Sequence, residues 1–171
     1  YNRLEGTGTL TRQIALDHGV VGVAARALGI PHDARKEYPY AGYAAMPINV
    51  SLEKDGDVRS RLGVRIKEVY ESIRLIKLAL VKLNDTARFS TEPSTLLLKK
   101  NSIGIGVADG WRGDIVYTVL TNENGKVTRV DVRDPSFLNW PALALSGRGN
   151  VVPDFPLINK SFNLSYSGHD L

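Results

Sequence analysis

The stretch Asp57–Asn84 reads DVRSRLGVRIKEVYESIRLIKLALVKLN, with no proline and no glycine after Gly63. Its apolar residues recur at alternating spacings of four and three: Leu62, Ile66, Val69, Ile73, Ile76, Leu80 and Leu83. This period places them on one stripe of an α-helix, and Asp57 is a residue type that caps helix N-termini. We predict a helix of about 25 residues, ~38 Å long, whose apolar stripe packs into the core. A coiled coil is the alternative, which the lack of clean flanking charges disfavours.

A second row on the same predicted helix is charged in its first half. Arg61, Arg65, Glu68 and Ser72 follow the same rhythm about 100° round the helix, and the row continues as Leu75 and Ala79. Two interpretations remain open. The row is either a solvated face or a charged row buried against another segment near the N-terminal half of the helix.

Composition limits the possible functions. The chain has 171 residues, a formal net charge of +4 and no cysteine. It is long enough for one domain with a core of its own. The missing thiols exclude disulfides, iron–sulfur clusters and thiolate metal sites held by this chain alone. No run of about 18 apolar residues predicts a membrane span. The basic residues are interspersed with acidic ones, so a nucleic-acid partner is not expected.

The rest of the chain divides into short helices and a small sheet. Short helices are predicted near 10–16 and 21–28, each followed by a glycine, and a long loop rich in tyrosine and proline near 29–43. A short strand at Ile48–Leu52 precedes the long helix, and a polar connector at 85–100 follows it. We expect a single domain over 1–171 that is cut from a longer protein, because the first residue is Tyr1 rather than methionine.

A small antiparallel sheet is predicted over about 103–134. Residues 103–107 and 114–121 are typical of strands, and 126–133 alternates with period two after the hairpin signal Asn124-Gly125. Val127, Val130 and Val132 are expected to help cover its core. A short helix at Trp140–Leu145 and a partly helical tail follow. The predicted fold class is therefore α+β, with a long central helix, flanking helices and this sheet.

The sharpest local feature is Asp109-Gly-Trp-Arg-Gly-Asp114, which places an arginine between glycines at a strand junction. It is either a surface turn with a salt bridge or a guanidinium held by the two carboxylates and aimed into a cleft that takes an anion or a polar ligand. Other motifs are weaker. The glycines around 104–110 do not match the dinucleotide fingerprint, and the three histidines lack the spacing of a zinc site.

Four motifs in order carry a resemblance to a known family. They are Gly-Ile-Pro-His-Asp-Ala-Arg-Lys at 29–36, the charged row of the long helix, Asp-Gly-Trp-Arg-Gly at 109–113 and Arg-Asp-Pro-Ser-Phe at 133–137. Together they resemble the C-terminal part of the 49 kDa-type subunit of respiratory complex I and of the large subunit of membrane-bound nickel–iron hydrogenases. The formate hydrogenlyase large-subunit branch is the most similar version.

The resemblance implies roles for particular residues. In the family, the segment that matches 109–113 lines the cavity for a nickel–iron centre or a quinone head group, which makes Arg112 an electrostatic wall of that cavity. Asp33 matches an aspartate thought to pair with a quinone-site histidine, here expected in the missing N-terminal half, and becomes a proton-linked group. These two residues are the implied catalytic residues. The implied cavity residues are His32, Arg35, Asp109, Trp111, Ser165 and His169.

The C-terminus departs from the hydrogenase pattern. The two metal-binding cysteines of hydrogenases correspond here to Ser165 and Gly168. A serine hydroxyl is not deprotonated at neutral pH as a thiolate ligand is, and glycine offers no ligand. The resemblance therefore implies that the nickel–iron site is lost, with Ser165 and His169 in the vacated pocket, and that this fragment binds no metal.

The resemblance also implies an assembly. The chain would belong to a membrane-associated oxidoreductase complex, peripheral on the cytoplasmic face of the cell membrane, with an iron–sulfur small subunit and membrane subunits as partners. It would pass electrons from a partner's iron–sulfur cluster to a quinone-like acceptor, in a complex linked to NAD binding, while the isolated fragment would be inactive. A non-catalytic assembly or coupling subunit with a closed cavity is the alternative.

Overall fold

A computed structural model of the chain describes residues 3–83 and 97–170. It confirms the α+β class, with a long helix, flanking helices and a three-stranded antiparallel sheet in the order β1-β2-β3. The α-helices are α1 (Arg12–Asp17), α2 (Gly22–Arg26), α3 (Ala34–Glu37), α4 (Val58–Lys82), α5 (Pro135–Ser146) and α6 (Phe155–Phe162). The strands are β1 (Ile103–Gly110), β2 (Gly113–Thr121) and β3 (Val127–Arg133).

The long helix α4 forms where its periodicity predicts it. It runs for 25 residues after the N-cap Asp57, whose Oδ1 accepts a hydrogen bond from the Ser60 backbone N–H at 2.8 Å. The other carboxylate oxygen accepts from the Gly6 N–H at 2.8 Å, which ties the start of the helix to the N-terminal segment. One aspartate therefore caps the start of α4 and also holds the N-terminal segment against it.

The predicted orientation of α4 is wrong. Its apolar stripe is exposed in the described part of the chain, from 41% for Leu62 to 62% for Leu80. The buried face instead carries Arg61, which is 1% exposed, together with Val64 and Leu75. Helices α2 and α6 pack on this face. Helix α6 supplies a hydroxyl and an aromatic ring to the arginine, and the loops at Gly8 and Gly56 supply carbonyl oxygens, so burial of the charge does not leave it without partners.

The charged row thus follows the buried interpretation in its first half. Arg61 donates to Ser161 Oγ at 2.8 Å, to the Gly56 carbonyl at 2.7 Å and to the Gly8 carbonyl at 2.9 Å. Its guanidinium also lies 4.3 Å from the centroid of the Phe162 ring. Further along the row, Arg65 and Glu68 are half-buried and Ser72 is exposed.

The hydrophobic core lies beside α4 rather than under its apolar stripe. Side chains from α1, α2, α5 and α6 meet there, and the largest buried members include Leu10, Leu28, Val58, Leu143, Ile158 and Phe162. Among the described residues, no helix combines the length and the apolar character that crossing a bilayer requires.

The sheet confirms the predicted strands, with β1 and β2 longer than predicted and β3 one residue shorter. β1 pairs with β2 from Ile103↔Leu120 to Gly110↔Gly113, and β2 pairs with β3 with a register shift at Leu120/Thr121. Val127 and Val130 are about half exposed, so the expectation that they help to cover a core of the sheet is wrong for these two residues. Val132 is half-buried. The predicted strand Ile48–Leu52 is irregular coil, and residues 85–96 of the predicted connector lie outside the described residues.

A buried glutamate joins α4 to the preceding loop and makes the free energy of unfolding depend on pH in the acid range. Glu71 accepts from Arg74 Nε at 2.8 Å and from the Asn49 N–H at 2.8 Å. The Arg74 hydrogen bond is the main cause that lowers the pKa of Glu71 from 4.5 to about 2. Since the folded-state pKa lies below the unfolded one, the carboxylate stabilises the fold above pH 4.5, and this contribution is lost as the pH falls towards 2.

We therefore expect Glu71→Gln to reduce the loss of stability between about pH 4.5 and 2 relative to the native sequence. Urea unfolding of the full-length protein at a series of acid pH values measures this difference. Glu123→Gln, at an exposed turn position, is the matched control. Identical acid sensitivity of Glu71→Gln and the native protein would contradict the assignment.

Candidate functional site

A cleft of about 330 Å³ lies between α4 and the turn that joins β1 to β2. The α4 wall is contributed by Arg65, Glu68, Val69, Ser72 and Ile73, and the opposite wall by Arg35, Asp109, Gly110 and Trp111. The cleft therefore combines an exposed indole, arginines and carboxylates with an apolar edge from α4.

The β1–β2 turn is fixed by its contact with the start of α2. Gly110 pairs with Gly113, which leaves Trp111 and Arg112 at the tip. Gly113 has a φ of +140°, and a Cβ on it would lie 2.7 Å from Val21 Cγ2, so only glycine fits. Asn139 of α5 completes the contact, since its Nδ2 donates to the Val21 and Arg112 carbonyls at 3.3 Å each.

Beneath the cleft, Arg26 is the centre of a buried charge cluster. It comes from α2 and is 1% exposed. Its Nε lies 2.6 Å from Glu68 Oε1, and its Nη1 lies 3.8 Å from Asp109 Oδ1. Nη1 also donates to the His32 carbonyl at 3.0 Å. A single guanidinium thus joins α4, β1 and the loop before α3.

Asp33 and Arg35 form a bidentate pair at the edge of this cluster. Arg35 donates from Nε to Asp33 Oδ1 at 3.0 Å and from Nη2 to Oδ2 at 2.7 Å. Asp33 also caps α3 by accepting from the Arg35 N–H. Burial alone would raise the pKa of Asp33, but the hydrogen bond and charge of Arg35, helped by Arg26, hold it below its usual value of 3.8. Asp33 is therefore ionised at neutral pH.

The pKa of Asp109 is shifted in the opposite direction to that of Asp33, although both residues belong to the same cluster. Its side chain is 9% exposed, and burial raises its pKa to about 6, partly countered by the charge of Arg26. The negative charges of Asp33 and Glu68 add to the increase, while Arg35 opposes it. Asp109 is the carboxyl group of the cleft that titrates closest to neutral pH among the residues with a resolved shift.

Arg65 and Trp111 form the partition between this cleft and a second, apolar one. The Arg65 guanidinium lies 5.7 Å from the centroid of the Trp111 ring and donates to the Ser161 and Phe162 carbonyls. The second cavity, of about 340 Å³, lies on the far side and is lined mainly by Leu4, Val58, Leu62 and Leu157. Both cavities share the arginine and the indole.

Of the residues predicted from the sequence, the structure brings Arg35, Asp109 and Trp111 to the cleft and Asp33 directly behind it. His32 does not line the cleft. Its Nδ1 lies 2.9 Å from Glu37 Oε2 and its Nε2 lies 3.2 Å from Asp114 Oδ1.

The predicted clamp on Arg112 does not form within residues 3–83 and 97–170. Arg112 Nε donates to the Asn163 carbonyl at 2.5 Å, which directs it away from the cleft lining. The flanking carboxylates are occupied by other partners, because Asp109 faces Arg26 and Arg35 and Asp114 binds Arg133 and His32. The arginines at this carboxylate come from α2 and α3 rather than from the turn.

Ser165 and His169 are also placed apart from the cleft lining. Ser165 Oγ accepts from the Gly168 N–H at 3.0 Å, and His169 stacks on Phe137 with ring centroids 5.6 Å apart. A Cβ on Gly168 would lie 2.6 Å from Asp134 Cγ. Ser165 is thus part of a local turn, and the space beside Gly168 is occupied by a carboxylate.

Sequence reasoning missed Arg26 altogether. The residue is the one charge in the run Val20-Val-Gly-Val-Ala-Ala-Arg-Ala-Leu28. A charge inside a small apolar segment must be paired when it is buried, so this signal was available. Nothing in the sequence, however, indicated that its partners are Glu68 and Asp109.

Comparison with known proteins assigns the chain to a family. Residues 1–106, more than half of the sequence, match the family described as "Respiratory-chain NADH dehydrogenase, 49 Kd subunit". The chain belongs to this family.

Relatives of this 49 kDa-family chain include both respiratory and hydrogenase subunits. It is 37% identical over 168 residues to formate hydrogenlyase subunit 5 of Escherichia coli, covering 98% of this chain and 29% of that protein. It is 32% identical over 187 residues to NADH-quinone oxidoreductase subunit 4 of Thermus thermophilus, covering 95% and 46%. The predicted resemblance is confirmed.

A solved structure extends the agreement to the whole fold of the 49 kDa-family chain. A chain of the membrane-bound sulfane sulfur reductase, an archaeal respiratory membrane complex, is similar with a TM-score of 0.88 and 27% identity. The similarity covers 100% of this chain and 48% of that one. The chain thus spans less than half the length of these relatives.

Proposed function

We propose that this chain is part of a subunit of a membrane-associated oxidoreductase complex related to formate hydrogenlyase and NADH:quinone oxidoreductase. In this proposal, electrons reach it from an iron–sulfur cluster in a partner small subunit and pass to a quinone-like acceptor beside the cleft. The complex would also include membrane subunits and sit on the cytoplasmic face of the membrane. Family membership and the respiratory membrane complex among its relatives support this proposal.

The observation that carries the proposal is the combination of an exposed indole with buried charges in one cleft. Trp111 is 56% exposed and offers a flat apolar face to a ring, a contact worth about 0.5–1.5 kcal/mol. Arg35 and Asp109 line the same cleft. Arg35 offers N–H donors to the oxygens of that ring, and Asp109 offers a donor when it is protonated. A quinone head group has this chemistry, with a flat ring and two carbonyl oxygens.

A nickel–iron centre does not fit the C-terminal segment. The chain offers no thiolate, since it has no cysteine, and thiolates are the ligands that such a soft centre requires. In addition, the space beside Gly168 is taken by the Asp134 carboxylate. We therefore propose that no nickel–iron centre is held by this segment.

The test uses the assembled complex with the full-length chain, a low-potential chemical reductant and a water-soluble quinone analogue. We expect Trp111→Leu to raise the KM for the analogue about tenfold, because losing the ring contact costs about 1.4 kcal/mol. Tyr117→Leu, which removes a half-exposed aromatic from β2 outside the cleft lining, is the matched control and should leave the KM unchanged.

Equal KM values for Trp111→Leu and the native complex would reject the cleft as the acceptor site. Metal analysis of the same preparation tests the other part of the proposal. Iron without nickel is expected, whereas nickel near one per chain would contradict the lost metal site.

The alternative is a non-catalytic assembly or coupling subunit. The exposed apolar stripe of α4 favours it, since such a face is suited to packing against another segment. Under this alternative, Trp111→Leu would leave turnover unchanged, whereas Ile73→Asp and Ile76→Asp would reduce the yield of the assembled complex.

A further inference from the structure

Three carboxylates meet at the floor of the cleft. Asp33, Glu68 and Asp109 share the guanidinium groups of Arg26 and Arg35. Arg65 on the α4 wall adds a third positive charge, but the carboxylate that it attracts is Glu68, so the negative charge of Asp109 depends on the two shared arginines. A buried negative charge is unfavourable unless a proton or a cation compensates it.

The distances show which carboxylate is least compensated. Arg35 approaches Asp33 to 2.7 Å and Arg26 approaches Glu68 to 2.6 Å. The same two arginines remain 3.7 Å and 3.8 Å from Asp109. Those separations are too long for hydrogen bonds, so each guanidinium makes its closest contact elsewhere and Asp109 is left with long-range attraction only.

The other polar groups around Asp109 do not supply the missing charge. Arg65 on α4 directs its Nη atoms to the Ser161 and Phe162 carbonyls. Tyr40 accepts a hydrogen bond from the backbone N–H of Asp109 rather than donating to its carboxyl group. His32 faces the carboxylates of Glu37 and Asp114, and the nearby Tyr43 packs against Tyr40.

We infer that this cluster binds one proton, that Asp109 carries it, and that Asp109 rather than Asp33 exchanges it with the cleft. The site is built for this exchange, because Asp109 lines the cleft whereas Asp33 is 1% exposed and locked by Arg35. The raised pKa of Asp109 and the lowered pKa of Asp33 agree with this division.

The inference deepens the proposed function on which its use rests. A protonated carboxyl group donates a hydrogen bond, whereas an ionised one only accepts. Protonated Asp109 would therefore suit a ligand with a carbonyl oxygen in the cleft, as the proposed quinone has. A proton held within the cleft is also what a ligand needs when it gains electrons.

The experiment measures the proton without any acceptor present. Infrared spectra of the assembled complex with the full-length chain are recorded between about pH 4.5 and 8, and the carbonyl absorption of protonated carboxylic acids is followed. We expect the native complex to lose one such band with a midpoint near pH 6. Asp109→Asn should lack this transition. Asp33→Asn should retain it with the midpoint at lower pH, because one negative charge is lost beside Asp109 and Arg35 is freed. Asp131→Asn, on exposed β3, is the control and should match the native complex.

A second variant tests the charge balance and does not alter Asp109 itself. Glu68→Gln removes one of the three carboxylates and frees Arg26 for Asp109, so the midpoint should move to lower pH. Glu123→Gln, at an exposed turn, should not move it. A transition that survives in Asp109→Asn, or a midpoint that Glu68→Gln leaves unchanged, would overturn the inference. Neither outcome bears on quinone binding, which the KM of Trp111→Leu reports separately.

Discussion

Gly22→Ala is expected to cost about 2–5 kcal/mol of unfolding free energy and to disrupt the cleft. Gly22 begins α2 with a φ of +66°, where a side chain adds about 1–2 kcal/mol of strain. A Cβ there would lie 2.1 Å from the Arg112 carbonyl oxygen and 2.6 Å from Gly113 Cα. Both are backbone atoms that cannot rotate away, so overpacking adds about 1–3 kcal/mol.

The contact between Gly22 and the β1–β2 turn positions two parts of the candidate site. The β1–β2 turn carries Trp111, and α2 carries Arg26, so a displacement of one from the other separates the indole from the charge cluster beneath it. We therefore expect Gly22→Ala to raise the KM for a quinone analogue at least as much as Trp111→Leu does.

Gly19→Ala is the matched control for backbone strain. Gly19 has a φ of +62°, close to that of Gly22, but nothing lies within 4 Å of a Cβ on it. Its expected cost is therefore only the strain of about 1–2 kcal/mol. Urea unfolding of the two full-length variants measures the difference. Equal losses would show that the close contact between α2 and the turn does not matter.

Hydrophobic periodicity and turn residues were sufficient to predict where α4 and the β2–β3 hairpin form. The 4-3 spacing and Asp57 located α4, and Asn124-Gly125 located the β2–β3 hairpin, because these signals act between residues close in sequence. The expected strand at Ile48–Leu52 did not form. There the backbone hydrogen-bonds to side chains of α4 instead, through Lys67 Nζ to the Leu52 carbonyl and the Asn49 N–H to Glu71.

The buried face of α4 could not be predicted from the same spacing. A period gives the angle between two stripes but not which of them another segment covers. The apolar stripe was the natural expectation for the core. Arg61 is buried instead because Gly8 and Gly56 present carbonyl oxygens at that place. The contacts with Gly8 and Ser161 join segments far apart in sequence.

The candidate site was predicted only in part, again because contacts between distant segments decide which side chains reach it. The motif at 109–114 located the turn, and Trp111 and Asp109 reach the cleft. Arg112 does not, because the two tip residues leave the turn in different directions, Trp111 towards Arg65 and Arg112 towards Asn163. Arg26 and Arg35 approach Asp109 because α2 packs on α4 and α3 packs on β1. Short-range sequence patterns carry no information about these contacts.

Arg26→Met is the second variant with a large expected effect, about 3–5 kcal/mol of unfolding free energy. The side chain is 1% exposed and compensates Glu68 and Asp109 while donating to the His32 carbonyl. Methionine fills a similar volume, so the loss would come from uncompensated buried charge rather than from a cavity. Arg129→Met removes an exposed ion pair with Asp131 and should cost only about 0–1 kcal/mol.

A double variant separates charge from packing as the cause. If the loss in Arg26→Met arises from the unpaired carboxylate, adding Glu68→Gln removes that charge and should restore part of the stability. If the loss arises from packing, the second substitution should add a further loss. Arg26→Lys should be intermediate, because a compact ammonium keeps the charge but cannot reach Glu68, Asp109 and the His32 carbonyl together. Denaturant unfolding of the full-length variants decides between these outcomes, and a strictly additive double variant would refute the charge cluster as the source of stability.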